Sequence, residues 1–283
     1  MPARSALAVL LFALAGPAGA AEPQWLQLPP TPHLPKPAAE GYAPVDGIEL
    51  HFESFGQGDP VILLHGGLAN VNYWGNQVPE LAKHHRVIVV DSRGHGRSTR
   101  DDQRYTYELM ARDVIGLMDQ LKLPKAEIVG WSDGAIIGLE LAIHYPERIR
   151  GVFAFAANFN PSGVTEDLDK NVTFNSFIER CRTEYAELSA TPDGYQGFLD
   201  AITKMWDTEP NLPPDTLRAI HVPVTIADGD HDEAIKRAHT EEMAALIPGA
   251  GLLIQPDVSH FSMLQDPAQF TADVEHFLTK LPK

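Results

Sequence analysis

The chain has a single cysteine, Cys181, so no intrachain disulfide is possible and stability has to come from packing. That lone thiol lacks a G-x-C-x-G setting, which argues against a nucleophilic role. Basic residues are scarce as well: 22 Lys and Arg face 38 Asp and Glu, a formal net charge of −16. Such an excess argues against nucleic acid and anionic membrane surfaces as partners, and leaves neutral or cationic small molecules. No apolar run is long enough to span a bilayer. The run at residues 6–15 follows Arg4 and is stopped by Gly16 and Pro17. With Ala18-Gly19-Ala20 behind it, residues 1–21 have the pattern of a secretory signal peptide cleaved near Ala20 or Ala21. This predicts a secreted or periplasmic protein with no stable membrane insertion after cleavage. No cysteine follows the cleavage site, which argues against a lipid anchor there.

Residues 22–42 are rich in proline and poor in apolar periodicity, which predicts an extended arm. From residue 43 to 283 the pattern alternates between short β-branched runs and segments of helical periodicity, as one α/β domain with a mostly parallel sheet and helices on both faces requires. A hairpin is expected at Asp46-Gly47, between alternating apolar runs. Further strands are expected at 60–64, 86–90, 149–156, 222–227 and 252–255. Helices are expected at 74–83, 107–121, 233–246 and 268–281. The rhythm stops at about 158–220, where 173–188 and 195–206 are expected to be helical. An insertion of that size between two strands predicts a cap over a site.

The chain is organised around Gly130-Trp131-Ser132-Asp133-Gly134, a G-x-S-x-G phrase between a strand and a helix. A turn that tight forces the serine into strained backbone geometry and projects its hydroxyl above the sheet, beside the free N–H groups of the new helix. Serine is a poor nucleophile until a base takes its proton, and the base needs a partner that fixes its tautomer. Both are expected at later strand ends. Asp228, Asp230 and Asp232 cluster in D-G-D-H-D. Asp232 is favoured because it lies past the strand end, whereas Asp228 and Asp230 are expected as turn formers or caps. A metal loop is the competing reading of that cluster, but EF-hand spacing is absent. His260 is the expected base, since it lies in the loop after the last strand. His276 falls within the final helix, and His231 adjoins the acid.

The developing oxyanion needs donors: the backbone N–H of Asp133 and one from the loop after Leu64, at Gly67 or at Leu68 if the turn is longer. His65 is expected to tie that loop together. The stretch Asp91 to Ser98 is expected to be architectural, with Arg93 bonding locally. The aromatics Phe174, Phe177 and Trp206 are expected in the cap.

With H-G-G at 65–67, D-S-R-G-H-G-R-S at 91–98, G-W-S-D-G at 130–134, G-D-H-D at 229–232 and S-H-F-S at 259–262, residues 43–281 resemble the α/β-hydrolase fold family. The elbow phrase is similar to that of the biphenyl-hydrolase-like group, which includes an amino acid ester hydrolase. That resemblance implies an acid at Asp133 able to receive a substrate α-ammonium, while the residues alone fit a helix cap or a pair with a basic neighbour. Serine at the elbow departs from the aspartate of epoxide hydrolases and haloalkane dehalogenases. The expectation is an exported serine hydrolase acting on carboxylic esters of small or medium size through Ser132, Asp232 and His260, without cofactor or metal. A lactone, amide or carbon–carbon bond hydrolase on the same triad, or a non-catalytic binding protein on this scaffold, are the other readings.

Overall fold

The computed structural model describes residues 22–282; the expected signal peptide lies outside the described residues. The Asp46-Gly47 turn folds strands β1 (Ala39–Val45) and β2 (Ile48–Phe55) into an antiparallel hairpin. Both turn residues have positive φ, 42° and 84°, the signature of the tight hairpin turn that Asp-Gly favours. β1 starts at Ala39, so pairing begins four residues before the expected edge of the folded domain. β3 (Pro60–Leu64), β4 (Arg86–Val90), β5 (Ala126–Trp131), β6 (Ile149–Phe155), β7 (Val224–Gly229) and β8 (Gly251–Gln255) complete the sheet. Among the described residues it has eight strands in the order β1-β2-β4-β3-β5-β6-β7-β8, with β3 to β8 parallel.

Parallel pairing demands crossovers, and helices provide them on both faces. Those between strands are α1 (Val78–Leu81), α2 (Tyr107–Gln120), α3 (Asp133–His144), α4 (Val172–Leu188), α5 (Tyr195–Trp206), α6 (Pro214–Arg218) and α7 (Arg237–Leu246), and α8 (Ser262–Gln265) and α9 (Pro267–Lys280) follow β8. The helix expected at 74–83 is broken: a 3-10 turn at Val71–Trp74 ends at Gly75, and only α1 follows. Gly75 lies under the arm, where a Cβ would come within 2.7 Å of the His33 carbonyl. The helix expected from residue 233 starts at Arg237, because Asp232 Oδ1 accepts the N–H groups of Ala234 (2.6 Å) and Ile235 (2.7 Å) and turns the chain first. The insertion between β6 and β7 carries α4, α5 and α6.

Central β5 and α3 are buried along nearly their whole length, which explains why their sequences are apolar without a polar face. The register aligns Leu64 with Gly130, Trp131 with Phe155 and Gly229 with Gln255. The carboxyl ends of the parallel strands therefore share one edge of the sheet, the edge where open α/β sheets bind ligands.

Candidate active site

Ser132 is the N-cap of α3, at φ 55° and ψ −121°. Its own N–H is held by the Phe155 carbonyl at 2.8 Å, and its carbonyl takes the N–H groups of Ala135 (2.8 Å) and Ile136 (3.1 Å). Glycine is required on both sides of it. A Cβ at Gly130 would lie 2.3 Å from the Gly134 carbonyl oxygen, and one at Gly134 would lie 2.0 Å from that of Leu64. The close crossing of α3 over β3 and β5 thus exists only because neither position has a side chain.

The loop after β3 runs against this elbow. A Cβ at Gly66 would touch Ser132 Cβ at 3.1 Å, and one at Gly67 would collide with Asp133 Oδ2 and the Trp206 ring at 2.5 Å. His65 ties the loop as expected: Nδ1 bonds the Gly66 carbonyl (2.8 Å) and Nε2 accepts the Ser92 N–H (3.0 Å). Asp133 is the first residue of α3, so its backbone N–H has no intrahelical acceptor. Gly67 thus lies against the Asp133 side chain, at the start of α3.

His260 and Asp232 come from the loops after β8 and β7. His260 Nδ1 and Asp232 Oδ2 are 2.8 Å apart, with side chains only 3% and 2% exposed. The backbone fixes the ring further: His260 N–H donates to Glu233 (3.1 Å) and its carbonyl accepts the indole N–H of Trp131 (2.8 Å). Burial pushes the His260 imidazole below its ordinary value, against the carboxylates of Glu233, Asp228 and Asp133. The ring is therefore neutral at neutral pH, with Nε2 left as the basic nitrogen when Nδ1–H points to Asp232.

Asp228 differs from its expected role as a turn former. It is a fully buried residue of β7 whose carboxyl accepts the Gly229 N–H (2.9 Å) and the Thr240 hydroxyl (2.5 Å). Burial and the adjoining Asp232 carboxylate push the Asp228 carboxyl well above the carboxylate range. Burial also lifts Asp232, to about 7, opposed by its neighbour Asp228 and by the Ile235 and Ala234 amides that its Oδ1 accepts. Arg93 departs from expectation too. Its buried guanidinium forms a two-pronged pair with Asp113 on α2 (2.8 and 2.6 Å), twenty residues away, and bonds Asp101 at 2.8 Å.

Ser132 and His260 line one cavity of about 570 Å³, together with Tyr107, Asp133, Asn158, Phe174 and Trp206 among others. Its charged lining is Asp133, Glu166, Asp207 and Glu209 against Lys236, which itself faces Glu166 at 3.8 Å. Phe174 and Trp206 face this space, whereas Phe177 is buried against Trp131, Tyr73 and Phe261. The Asp133 carboxylate is occupied: it accepts the Tyr107 hydroxyl (2.8 Å) and the Trp206 indole N–H (3.0 Å to each oxygen). Burial raises it to about 6 despite these bonds. Sequence reasoning missed Tyr107, 26 residues away with no local signal. Cys181 is buried beside Tyr73 and its thiol is pushed well above the usual range. Asp230, His231 and Asp257 hold ligand atoms within 4.8 Å of one another, but all three are exposed and none lines the cavity.

Sheet order, elbow and inserted cap define the α/β-hydrolase fold, and the α/β-hydrolase fold family model matches residues 59–196. Relatives of known activity fall in the same class. The chain is 29% identical over 259 residues to 2-hydroxymuconate semialdehyde hydrolase of Pseudomonas sp. (strain CF600), covering 83% of this chain and 92% of that protein. It is 27% identical over 249 residues to the serine hydrolase BPHL of Homo sapiens, covering 83% and 84% respectively. Among solved structures, Est816, described as an N-acyl homoserine lactone degrading enzyme, superposes with a TM-score of 0.72 at 26% identity. That match covers 83% of this chain and 99% of Est816.

Proposed function

We propose that the protein is an exported serine hydrolase that cleaves uncharged carboxylic esters of small or medium size through an acyl-enzyme. The observation that carries this reading is one cavity lined by both a serine at a strained elbow and a buried histidine whose Nδ1 is held by a carboxylate. His260 Nε2 takes the proton from Ser132 Oγ as that oxygen bonds the ester carbonyl carbon. Charge moves onto the carbonyl oxygen, within reach of the amides of Asp133 and Gly67. The carbon–oxygen bond to the leaving alcohol then breaks, and His260 returns the proton to that alcohol. Water, deprotonated by His260, repeats the sequence on the acyl-enzyme and releases the acid. Asp232 orients the ring and stabilises the imidazolium.

The lining supports the choice of ester over the other bonds that such chemistry opens. A muconate semialdehyde carries a carboxylate, and this cavity sets four acidic side chains against one lysine already facing an acid. An uncharged ester meets no such repulsion, and neither does a lactone, its cyclic form. Export rests on residues 1–21, and N-terminal sequencing of the protein recovered outside the cytoplasm checks it. For the chemistry, Ser132→Ala and His260→Ala are expected to lower turnover of a neutral ester by roughly 10⁵-fold or more with folding retained. Asp232→Asn is expected to lower it on the order of 10⁴-fold. A serine-directed phosphonate should label the wild type and not Ser132→Ala. Labelling that persists in Ser132→Ala, or a fully active Asp232→Asn with an inactive Asp230→Asn, overturns the assignment.

A further inference from the structure

The proline-rich arm is ordered, and it reaches both loops of the acid–base pair. Trp25 stacks on His231 with centroids 3.9 Å apart and planes 7° from parallel, and His231 immediately precedes Asp232. Two residues on, the Gln27 carbonyl accepts Gln265 Nε2 at 2.8 Å. Gln265 in turn holds Ser259, which immediately precedes His260: its Oε1 accepts the Ser259 N–H (2.7 Å) and its Nε2 reaches Ser259 Oγ (3.0 Å). The 3-10 turn Gln24–Leu26 and its flank thus touch one neighbour of the Asp232–His260 hydrogen bond, His231, directly and the other, Ser259, through Gln265.

The same arm is fastened to the cap. Arg180 on α4 donates to the carbonyls of Pro29 (2.6 Å) and Leu28 (2.9 Å), and Thr173 donates to that of Leu26 (3.0 Å). Thr31 bonds one oxygen of Glu184 on α4 (2.5 Å), and the other oxygen accepts Asn70 Nδ2 (2.9 Å), three residues past Gly67. A proline-rich chain is stiff and extended before it docks, so holding it in place costs less entropy than holding an ordinary loop.

We propose that residues 22–36 form a strap that ties the cap to the core and steadies the loops of Asp232 and His260, with Trp25 and Gln265 as positioning residues. The inference rests on the serine hydrolase reading above. Neither Trp25 nor His231 is buried, so removing their stack leaves the core packing intact. A loss of alignment of about 1 Å in a proton-transfer pair is enough to cost up to about a hundredfold in rate.

The test is steady-state kinetics of the full chain on a neutral ester. Trp25→Ala is expected to lower kcat by about ten- to a hundredfold, with KM changed by less than about threefold. Trp25→Phe, which keeps a stacking ring, should recover most of that loss. Gln265→Glu keeps the acceptor for the Ser259 N–H but removes the Nε2 donor that joins the arm to the Ser259 hydroxyl, and should lower kcat in the same direction. The double variant should lose less than the product of the two single losses, because both act through one strap. If Trp25→Ala does not fold, Gln265→Glu and Trp25→Phe carry the same comparison. Wild-type kcat in Trp25→Ala or in Gln265→Glu overturns the strap. So does an equal loss in Trp25→Ala and Trp25→Phe, which marks a fold contact alone. An active Ser132→Ala instead overturns the serine hydrolase reading itself, so the two failures are distinguishable.

Discussion

Ser132 holds a backbone conformation that costs a non-glycine residue on the order of 1–3 kcal/mol, and the surroundings over-determine it through the Phe155 carbonyl and the first turn of α3. Asp133, next to it, has its carboxylate engaged by Tyr107 and Trp206, the second of which ends cap helix α5. That clasp makes it a cap anchor more than a free counter-ion. Asp133→Asn is therefore expected to lower kcat/KM equally for an α-amino ester and its deamino analogue. A loss of roughly tenfold or more confined to the amino ester, weakened by salt, would instead give the carboxylate an ammonium to bind. The pH profile belongs to His260 and Asp232 together. Burial lowers the imidazole and lifts the carboxyl to about 7, and the active form needs both without the extra proton. The kcat/KM of a neutral ester should accordingly rise with pH through one acid limb between about pH 5 and 7 and then level off. A profile that falls with pH over that range contradicts a histidine base.

At the scale of elements, the site depends on how closely α3 crosses the sheet. Gly134→Ala places a methyl 2.0 Å from the Leu64 carbonyl oxygen, and backbone on both sides leaves it no way to relax except by separating helix from strand. The expected cost is about 3 kcal/mol. For a domain of this size that corresponds to a melting temperature lower by roughly 6–12 °C. An unchanged melting temperature would show that the crossing is looser than the geometry states. The helix expected at 74–83 teaches the same lesson from the other side. Its apolar spacing is real, with Val78 and Leu81 buried, but the arm passes over Gly75 and the chain breaks there. Periodicity reports which residues face the core, and cannot report that a distant segment lies across the element. The arm also lies on α4, but there only side chains meet it, and the expected and observed limits of α4 and α5 differ by at most one residue.

The molecule as a whole is acidic, with a formal net charge of −16, and the cavity lining repeats that imbalance. Like charge held close together costs several kcal/mol, whereas an uncharged substrate is indifferent to it. Matched esters of equal size, one neutral and one carrying a carboxylate, should differ in kcat/KM by at least about tenfold in favour of the neutral one. Raising ionic strength should narrow that gap by speeding the anionic substrate. Equal rates for the two, insensitive to salt, would count against selection by charge. At this scale the arm also matters most. It spans from β1 across Gly75 to α4, α8 and the acid loop, so cap and core are joined through a segment at the start of the chain.

The amino-acid sequence by itself determined the α/β alternation, the hairpin at Asp46-Gly47, the elbow at Ser132 and the chain order of serine, aspartate and histidine. Each of these is written in a few neighbouring residues: a glycine where a Cβ is forbidden, a β-branched run, a polar loop at a strand end. Only the tertiary structure decided what meets across long separations. It set Tyr107 and Trp206 on Asp133, drew Arg93 to Asp113, and buried Asp228 in β7 beside Asp232. It also turned a proline-rich stretch with little apolar periodicity back onto loops some 200 residues away. The physical reason is that local propensity constrains φ and ψ, while a buried hydrogen bond or an aromatic stack depends on which surfaces the finished sheet brings together.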